Sequence, residues 1–444
     1  MTTKHCTKSS TIFRTNCSTF AWKTSYSAAF RKRPNSLRPN PFPTGMLRRS
    51  SASPPFSNIL SGGRSFTPRR WTPRVMRNPL IPSSPHSLIP GLRLLLIVLV
   101  ISLMQPAPLL ITYGPQQTVQ TNHPIVGVHT RLTDEVEEWK IQRTLQMARE
   151  MGASWVVELF PWAYYHAADG GIAWEHPDMV VNHAAAQGLK VVARIGLTPD
   201  WARPPDTPLT YLDETAYDDF ADFAARFAAR YRGKVTHIII GNEPNLSYEW
   251  GYRPATPEDY VELLKVVYPA VKEANPDVVV LAGALAPTLE PAGSPWGLND
   301  LEYLAQMYEA GAADYFDGLA VHSYGLTFPA EAEPAPDILN FRRIELVREV
   351  MAAHGDADTN IFVTEFGWND HPRWTMAVRP GQRIQNTLDA YRYAEENWPY
   401  VEMMALWAFR FPAPTRSFMD YYTLVTPEFV PKPIYNEIKT FTGN

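Results

Sequence analysis

From Ile125 onward the chain alternates short apolar runs with longer amphipathic ones. Eight of the short runs read as strands: "PIVGVHT", "SWVVELFPW", "LKVVARIG", "VTHIIIGNE", "VVVLAGALAP", "FDGLAVHSY", "NIFVTEFGW" and "EMMALWAFR". Most are almost continuously apolar and rich in Val and Ile, as strands covered on both faces are. Between them the apolar positions recur at spacings of three and four. Phe220, Phe223, Phe227 and Tyr231 fall on one helical face, and Ile384, Leu388, Tyr391 and Trp398 on another. Thr256-Pro257-Glu258-Asp259 reads as a helix start, with an N-cap Thr, Pro at the first position and an acid at the third. Gly188 and Gly233 follow helical stretches and precede strands, which suits C-terminal stops.

Eight strand–helix units over about 310 residues predict a (β/α)8 TIM barrel spanning 123–444. A doubly wound open sheet is the competitor. It usually carries a Gly-rich phosphate loop after an early strand, and the sequence has none. No short internal repeat accompanies the alternation.

Composition divides the chain. Its 444 residues are 45% hydrophobic, ample for a large core. Of 41 Lys and Arg, 16 lie in the first 93 residues, which hold no acid, leaving 25 to face all 45 acids. An acidic body argues against a nucleic-acid partner, which needs a basic face, and leaves only the basic head as a nucleic-acid arm. Residues 1–90, rich in Ser, Pro, Arg and Asn without apolar periodicity, read as a disordered segment or a processed leader. Both cysteines, Cys6 and Cys17, lie there, so the body has neither disulfides nor thiolate metal sites. Residues 91–113 are the next feature. Leu94–Met104 has the length of a signal-peptide apolar core. Extended to Tyr113, the run reaches about 20 residues, enough for a membrane anchor. Cleaved signal or retained anchor, either reading places the barrel outside the cytoplasm; a buried core helix is the plainer alternative. Met76 would make a sensible start, with residues 1–75 as upstream sequence.

Chemistry in such a barrel sits on the loops after the C-terminal strand ends. Strand 4 delivers Asn242-Glu243-Pro244 there, strand 6 His322-Ser323-Tyr324, strand 7 Glu365-Phe366-Gly367-Trp368, and strand 8 Trp407. Strands 1 and 3 offer His129 and Arg194. A lone Glu after a strand is ordinarily a solvated loop residue. Two at matched strand ends, ringed by Asn, Trp and Tyr, are the equipment of glycoside hydrolysis. One holds a proton for the leaving oxygen and the other stays ionised, their mutual repulsion raising the proton affinity of one. Pro244, lacking a ladder donor, is expected to end strand 4 and fix the carboxylate at the rim. Tyr324 is placed to donate to Glu365, and Trp162, Trp201, Trp368 and Trp374 fall in strand–helix loops as candidate sugar platforms or loop packing. His129 and His237 form no metal set with a carboxylate at recognisable spacing, and no cofactor is expected.

At these residues the chain resembles the clan A retaining glycoside hydrolases, over roughly residues 123–440. "GNEPN" is similar to their acid/base motif, which implies Glu243 as acid/base and Asn242 on the sugar 2-hydroxyl. "TEFGW" resembles the nucleophile motif and implies Glu365. "HSY" and Trp407 match the strand-6 and strand-8 positions, implying substrate contact for His322, support of the nucleophile by Tyr324, and a platform at Trp407. "GASWVVELFPW" and "TPDWA", which includes Trp201, resemble the strand-2 and strand-3 segments of families 39 and 5. Many members carry an arginine late on strand 2, where this chain has Val157; Arg194 on the neighbouring strand is the candidate replacement. The resemblance implies cleavage of a β-linked oligo- or polysaccharide by double displacement. A transglycosylase with the same residues and a non-catalytic carbohydrate-binding barrel are the alternatives. Sugar, linkage and endo or exo action rest on loops such as 287–300 and 326–337.

Overall fold

The eight expected strands form in order and close into one parallel barrel, β1 pairing with β8. The structure, a computed structural model, describes residues 113–443. The strands are β1 (Val126–His129), β2 (Trp155–Pro161), β3 (Lys190–Gly196), β4 (Val235–Ile240), β5 (Val279–Leu285), β6 (Gly318–Tyr324), β7 (Ile361–Gly367) and β8 (Val401–Leu406). A long helix follows each: α1 (Glu138–Glu150), α2 (Glu175–Ala186), α3 (Tyr217–Arg230), α4 (Pro257–Ala274), α5 (Asp300–Glu309), α6 (Arg343–Ala353), α7 (Pro380–Asn397) and α8 (Pro433–Phe441). The segments 1–90 and 91–112 lie outside the described residues. No helix among the described residues is long and apolar enough to cross a membrane.

Strand periodicity sorts the side chains into two apolar bodies. One fills the barrel: Trp155, Val157, Val192, Ile239, Leu281, Ala284, Ala320, Phe362, Met403 and Ala405. The other lies between sheet and helices, where α3 buries Phe220, Phe223 and Phe227. Gly127 faces the interior; an added Cβ would sit 3.0 Å from that of Trp155. His237 is part of this floor rather than of any site. It packs against Trp155 and Phe362, and burial, aided by Lys190, lowers its pKa to about 4.

Two local expectations need correction. Thr256 is the N-cap of α4, but its hydroxyl does not cap the helix; it donates to Asp259 Oδ2 at 3.0 Å and to the Pro254 carbonyl at 3.2 Å. Pro244 does not end β4. The ladder stops three residues earlier, where Gly241 donates to the Ile195 carbonyl at 2.8 Å and then turns into the left-handed region with φ +78°. Gly188 and Gly233 have φ +74° and +77°, as helix-stopping residues should.

Trp368 closes the barrel wall beyond β7. It is buried, and its indole donates to the Phe328 carbonyl at 2.7 Å. Its ring occupies the space a side chain at Gly325 would need, 1.9 Å from the ideal Cβ. Gly325→Ala therefore displaces Trp368 and destabilises the fold by about 1–3 kcal/mol, the usual range for overpacking. A urea unfolding midpoint equal to wild type would contradict this packing.

Candidate active site

The barrel interior turns polar above its apolar plug. Continuing the inward positions of β3 and β6 past Val192 and Ala320 leads to Arg194, His322 and Tyr324. On β8 the same step passes Met403 and Ala405 and reaches Trp407. Strand β7 does not follow this rule. Phe362 points inward, so strict alternation would turn Glu365 outward. The pairing slips by one residue at Thr364: Val321 pairs with Val363, and His322 with Glu365. This bulge turns Glu365 into the barrel beside His322.

Glu365 is the most heavily contacted group of the cluster. Arg194 Nη1 donates to its Oε1 at 2.7 Å and Tyr324 Oη to its Oε2 at 2.8 Å. His129 Nε2 lies 3.7 Å from Oε1 and His322 Nδ1 3.7 Å from Oε2. Burial works against its charge, but His322 and Arg194, joined by the Tyr324 hydroxyl, overcome it and hold the pKa at about 2. Glu365 is therefore a carboxylate. His129 is neutral: burial and then Arg194 lower it well below the usual imidazole range. Its Nδ1–H donates to the Thr130 carbonyl at 2.7 Å. Burial and Glu365 raise the Tyr324 phenol well above its ordinary value, so it remains a donor.

Glu243 stands opposite, its side chain 12% exposed. It has φ +43°, an uncommon region for a residue with a side chain. Its N–H donates to the Ala284 carbonyl at 3.2 Å, and its carbonyl accepts from Leu246 N–H at 2.9 Å. Asn245 secures the turn, exchanging hydrogen bonds of 2.9 Å with the Ala286 backbone while its amide also reaches the Leu298 carbonyl. His322 Nδ1 lies 2.7 Å from Glu243 Oε1, a direct hydrogen bond between the two. Glu243, His322 and Glu365 each place one atom within 4.8 Å of the others.

Asn242 is tied in through its Oδ1, which accepts from Arg194 Nη1 at 2.5 Å. Arg194 thus supplies, from β3, a charge that Val157 on β2 lacks. Trp407 meets His129 edge to face, with ring centroids 4.5 Å apart, and its indole N–H has no acceptor among the described residues. Eight of the ten expected residues therefore form one cluster: Glu243, Glu365, Asn242, His322, Tyr324, Trp407, Arg194 and His129. Trp368 and Trp201 make other contacts. Trp368 belongs to the wall, and Trp201, about one-third exposed, packs on Trp162 and donates to the His166 carbonyl.

Sequence reading passed over three neighbours. Arg131, after β1, stacks its guanidinium 5.7 Å from the Trp407 ring and pairs with Asp134. Glu158, buried on β2, accepts from Thr130, Leu132 and Thr133, and so moulds the loop carrying Arg131. Glu249 adds a third carboxyl near Glu243 and Glu365. Only Glu249 left a trace in the sequence, as a second acid in the loop after β4.

No protein-family model and no curated protein matches the chain. Solved structures do. A family 39 glycoside hydrolase from the gut symbiont Bacteroides cellulosilyticus WH2 aligns with TM-score 0.57 and 22% identity over 72% of this chain. The chain spans 63% of that enzyme's length. The GH39 enzyme of Xanthomonas axonopodis pv. citri aligns with TM-score 0.52 and 14% identity, covering 76% of this chain and 71% of that one. GH5_18 from Streptomyces cattleya, in complex with GlcNAc, aligns with TM-score 0.55 and 17% identity, covering 72% and 80%. The fold is one that glycoside hydrolases use. At these identities the likeness concerns the barrel alone, and the chemistry rests on the side chains described above.

The ion pair at the centre is open to direct measurement. Removing a cation from beside a carboxylate raises its pKa by about 1–3 units. In Arg194→Met the Glu365 carboxyl, followed by 13C NMR of glutamate-labelled protein, should titrate higher than in wild type by that amount. An unmoved titration would show that Arg194 does not hold the charge.

Proposed function

We propose that this protein is a retaining glycoside hydrolase acting on a β-linked oligo- or polysaccharide. One observation carries the reading: an ionised carboxylate on β7 faces a second carboxyl after β4 that is hydrogen-bonded to His322, their oxygens within 4.8 Å. Retaining enzymes set their two carboxyls about 5–5.5 Å apart, whereas inverting enzymes leave about 6.5–9.5 Å for a water. The likeness of the barrel to solved glycoside hydrolases supports the same assignment.

Glu365 attacks the anomeric carbon while Glu243 gives its proton to the leaving oxygen, forming a covalent glycosyl-enzyme. Glu243 then takes a proton from water, and the hydroxide displaces Glu365 with net retention. Tyr324 and Arg194 keep the nucleophile ionised and aimed. Asn242 reaches the 2-hydroxyl, and the Trp407 indole N–H is a donor for the bound sugar. Aromatic faces stack on the apolar faces of sugars, which gives Trp407 a second role as platform. The proposal puts the reaction outside the cytoplasm, a reading supported only by the basic residues and the apolar run before Tyr113 in the sequence.

Glu365→Ala should abolish turnover of an aryl β-glycoside. Added azide then occupies the vacated face and releases an α-glycosyl azide. An α-azide from Glu243→Ala instead would reverse the two roles. A second reading has one specific observation behind it: Glu243, His322 and Glu365 are spaced as three ligands of a metal ion could be. The direct 2.7 Å contact between His322 and Glu243 favours hydrogen bonding. Hydrolysis by wild type should survive exhaustive chelation. Loss on chelation, restored by a divalent ion, would favour the metal.

A further inference from the structure

Arg131 follows His129 closely on the loop after β1, and no step of the reaction above uses it. Its guanidinium carbon lies 5.7 Å from the centroid of the Trp407 ring and 5.6 Å from that of Phe411. Those two rings, both beyond β8, have centroids 6.3 Å apart. Trp407 meets the His129 ring at 4.5 Å, and His129 Nε2 lies 3.7 Å from Glu365 Oε1. A fixed positive charge therefore stands at the edge of the sugar platform, three contacts from the nucleophile.

The loop is built to hold it there. Glu158, only 1% exposed, accepts from the Thr130 hydroxyl at 2.6 Å, from Leu132 N–H at 2.9 Å, and from the Thr133 N–H and hydroxyl at 3.0 and 2.8 Å. Thr130 N–H donates to the Val157 carbonyl at 2.8 Å. The backbone on both sides of Arg131 is thus clamped. Burying a carboxylate is costly unless its oxygens are satisfied, as they are here. Arg131 Nη2 also pairs with Asp134 Oδ2 at 3.3 Å, but the two ends of the pair differ: the Asp134 side chain is 39% exposed and that of Arg131 13%. The carboxylate lies towards solvent and the cation lies against the rings. Five N–H donors let one guanidinium hold Asp134 and a ligand group together.

We propose that Arg131 is a specificity-determining residue that binds an anionic group, the carboxylate of a uronic acid, on the sugar lying against Trp407. This rests on the cleft being a glycosidase site. The polar groups at that platform are donors: the guanidinium, and the buried Trp407 N–H that has no acceptor among the described residues. Donors without acceptors suit an anionic oxygen group, and a planar fork matches a carboxylate. Charge points the same way. An anionic sugar brought beside ionised Glu365 is repelled unless a second cation offsets it. Arg194 directs its Nη1 to Glu365 and Asn242, so Arg131 is the cation that faces the ligand. Resting on two aromatic faces, it is ordered before the sugar arrives. A mere staple between the loops after β1 and β8 would use the same ring contacts but be indifferent to the charge of the ligand.

The test uses aryl β-glycosides in the gluco and galacto series: the uronide, its neutral methyl ester, the plain glycoside, and the glycoside sulfated on its primary hydroxyl. In wild type, kcat/KM for the uronide of at least one series should exceed that for its methyl ester by about 10- to 100-fold, the scale of a hydrogen bond to a charged group. The difference should lie mainly in KM. Arg131→Met should remove this ratio, and Arg131→Lys should retain part of it. Asp134→Asn, at an exposed position, should enlarge it by relieving repulsion of the anion. A methyl ester turned over as well as the acid in both series overturns the proposal. So does a ratio that survives Arg131→Met, or a preference for the sulfate ester, which would make Arg131 a sulfate reader instead. A second readout needs no turnover: calorimetric binding of free glucuronate and galacturonate, against glucose and galactose, to wild type and Arg131→Met. Uronate binding that is lost in the variant supports the role of Arg131 even if no glycoside is hydrolysed, which would count against the enzyme reading alone. Equal binding of acid and neutral sugar, or no uronate binding, overturns it.

Discussion

A carboxylate kept charged inside a barrel is the constraint on which the site depends. Burying Glu365 disfavours its charge, and an isolated buried carboxylate would neutralise itself by taking up a proton. Here the guanidinium of Arg194 and the hydroxyl of Tyr324 bind its two oxygens, at 2.7 and 2.8 Å. The imidazoles of His129 and His322 occupy the remaining approaches. These four residues come from three different strands, His322 and Tyr324 sharing one. The barrel is what lets β1, β3 and β6 converge on one atom group of β7.

That convergence has a backbone cost, visible in where the strands stop being regular. The bulge at Thr364 turns Glu365 inward. A second irregularity between Gly283 and Leu285 places the Ala284 carbonyl under Glu243 N–H. Tyr260 of α4 links these ends: its hydroxyl donates to the Ile240 carbonyl at 2.7 Å and accepts from Gly283 N–H at 2.9 Å. The loop after β4 is then pinned to the 287–300 loop, Ser247 donating to the Pro295 carbonyl and Asn245 to that of Leu298. The unusual φ of Glu243 persists because its surroundings over-determine it, as strained residues at functional sites require.

The tryptophans separate packing from function. Trp162 and Trp368 are buried, and each indole N–H meets a partner within the protein: His166 for Trp162, the Phe328 carbonyl for Trp368. Trp407 is also largely buried, yet its N–H has no acceptor among the described residues. A buried donor left without a partner costs stability, so it is a reason to look for a ligand there. All three follow strands in the sequence, and composition could not distinguish them.

Much of the architecture was legible from the order of residues alone. Near-continuous Val and Ile runs alternating with amphipathic stretches can bury both faces of a strand only within a layered α/β fold, and eight of them close a barrel. The matched placement of Glu243 and Glu365 at strand ends, with His322, Tyr324 and Trp407, followed from the same periodicity. Tertiary structure decided the rest. Alternation cannot reveal a bulge, because a bulge breaks the period that reading relies on, so the true facing of Glu365 needed coordinates. The end of β4 at Gly241 rather than Pro244 depends on hydrogen bonding to β3. Arg131 carried no mark in the sequence, and only the closed barrel sets its guanidinium over the Trp407 ring. A side chain's proton affinity and partners are properties of its surroundings, and in this protein those surroundings come from strands far apart in sequence.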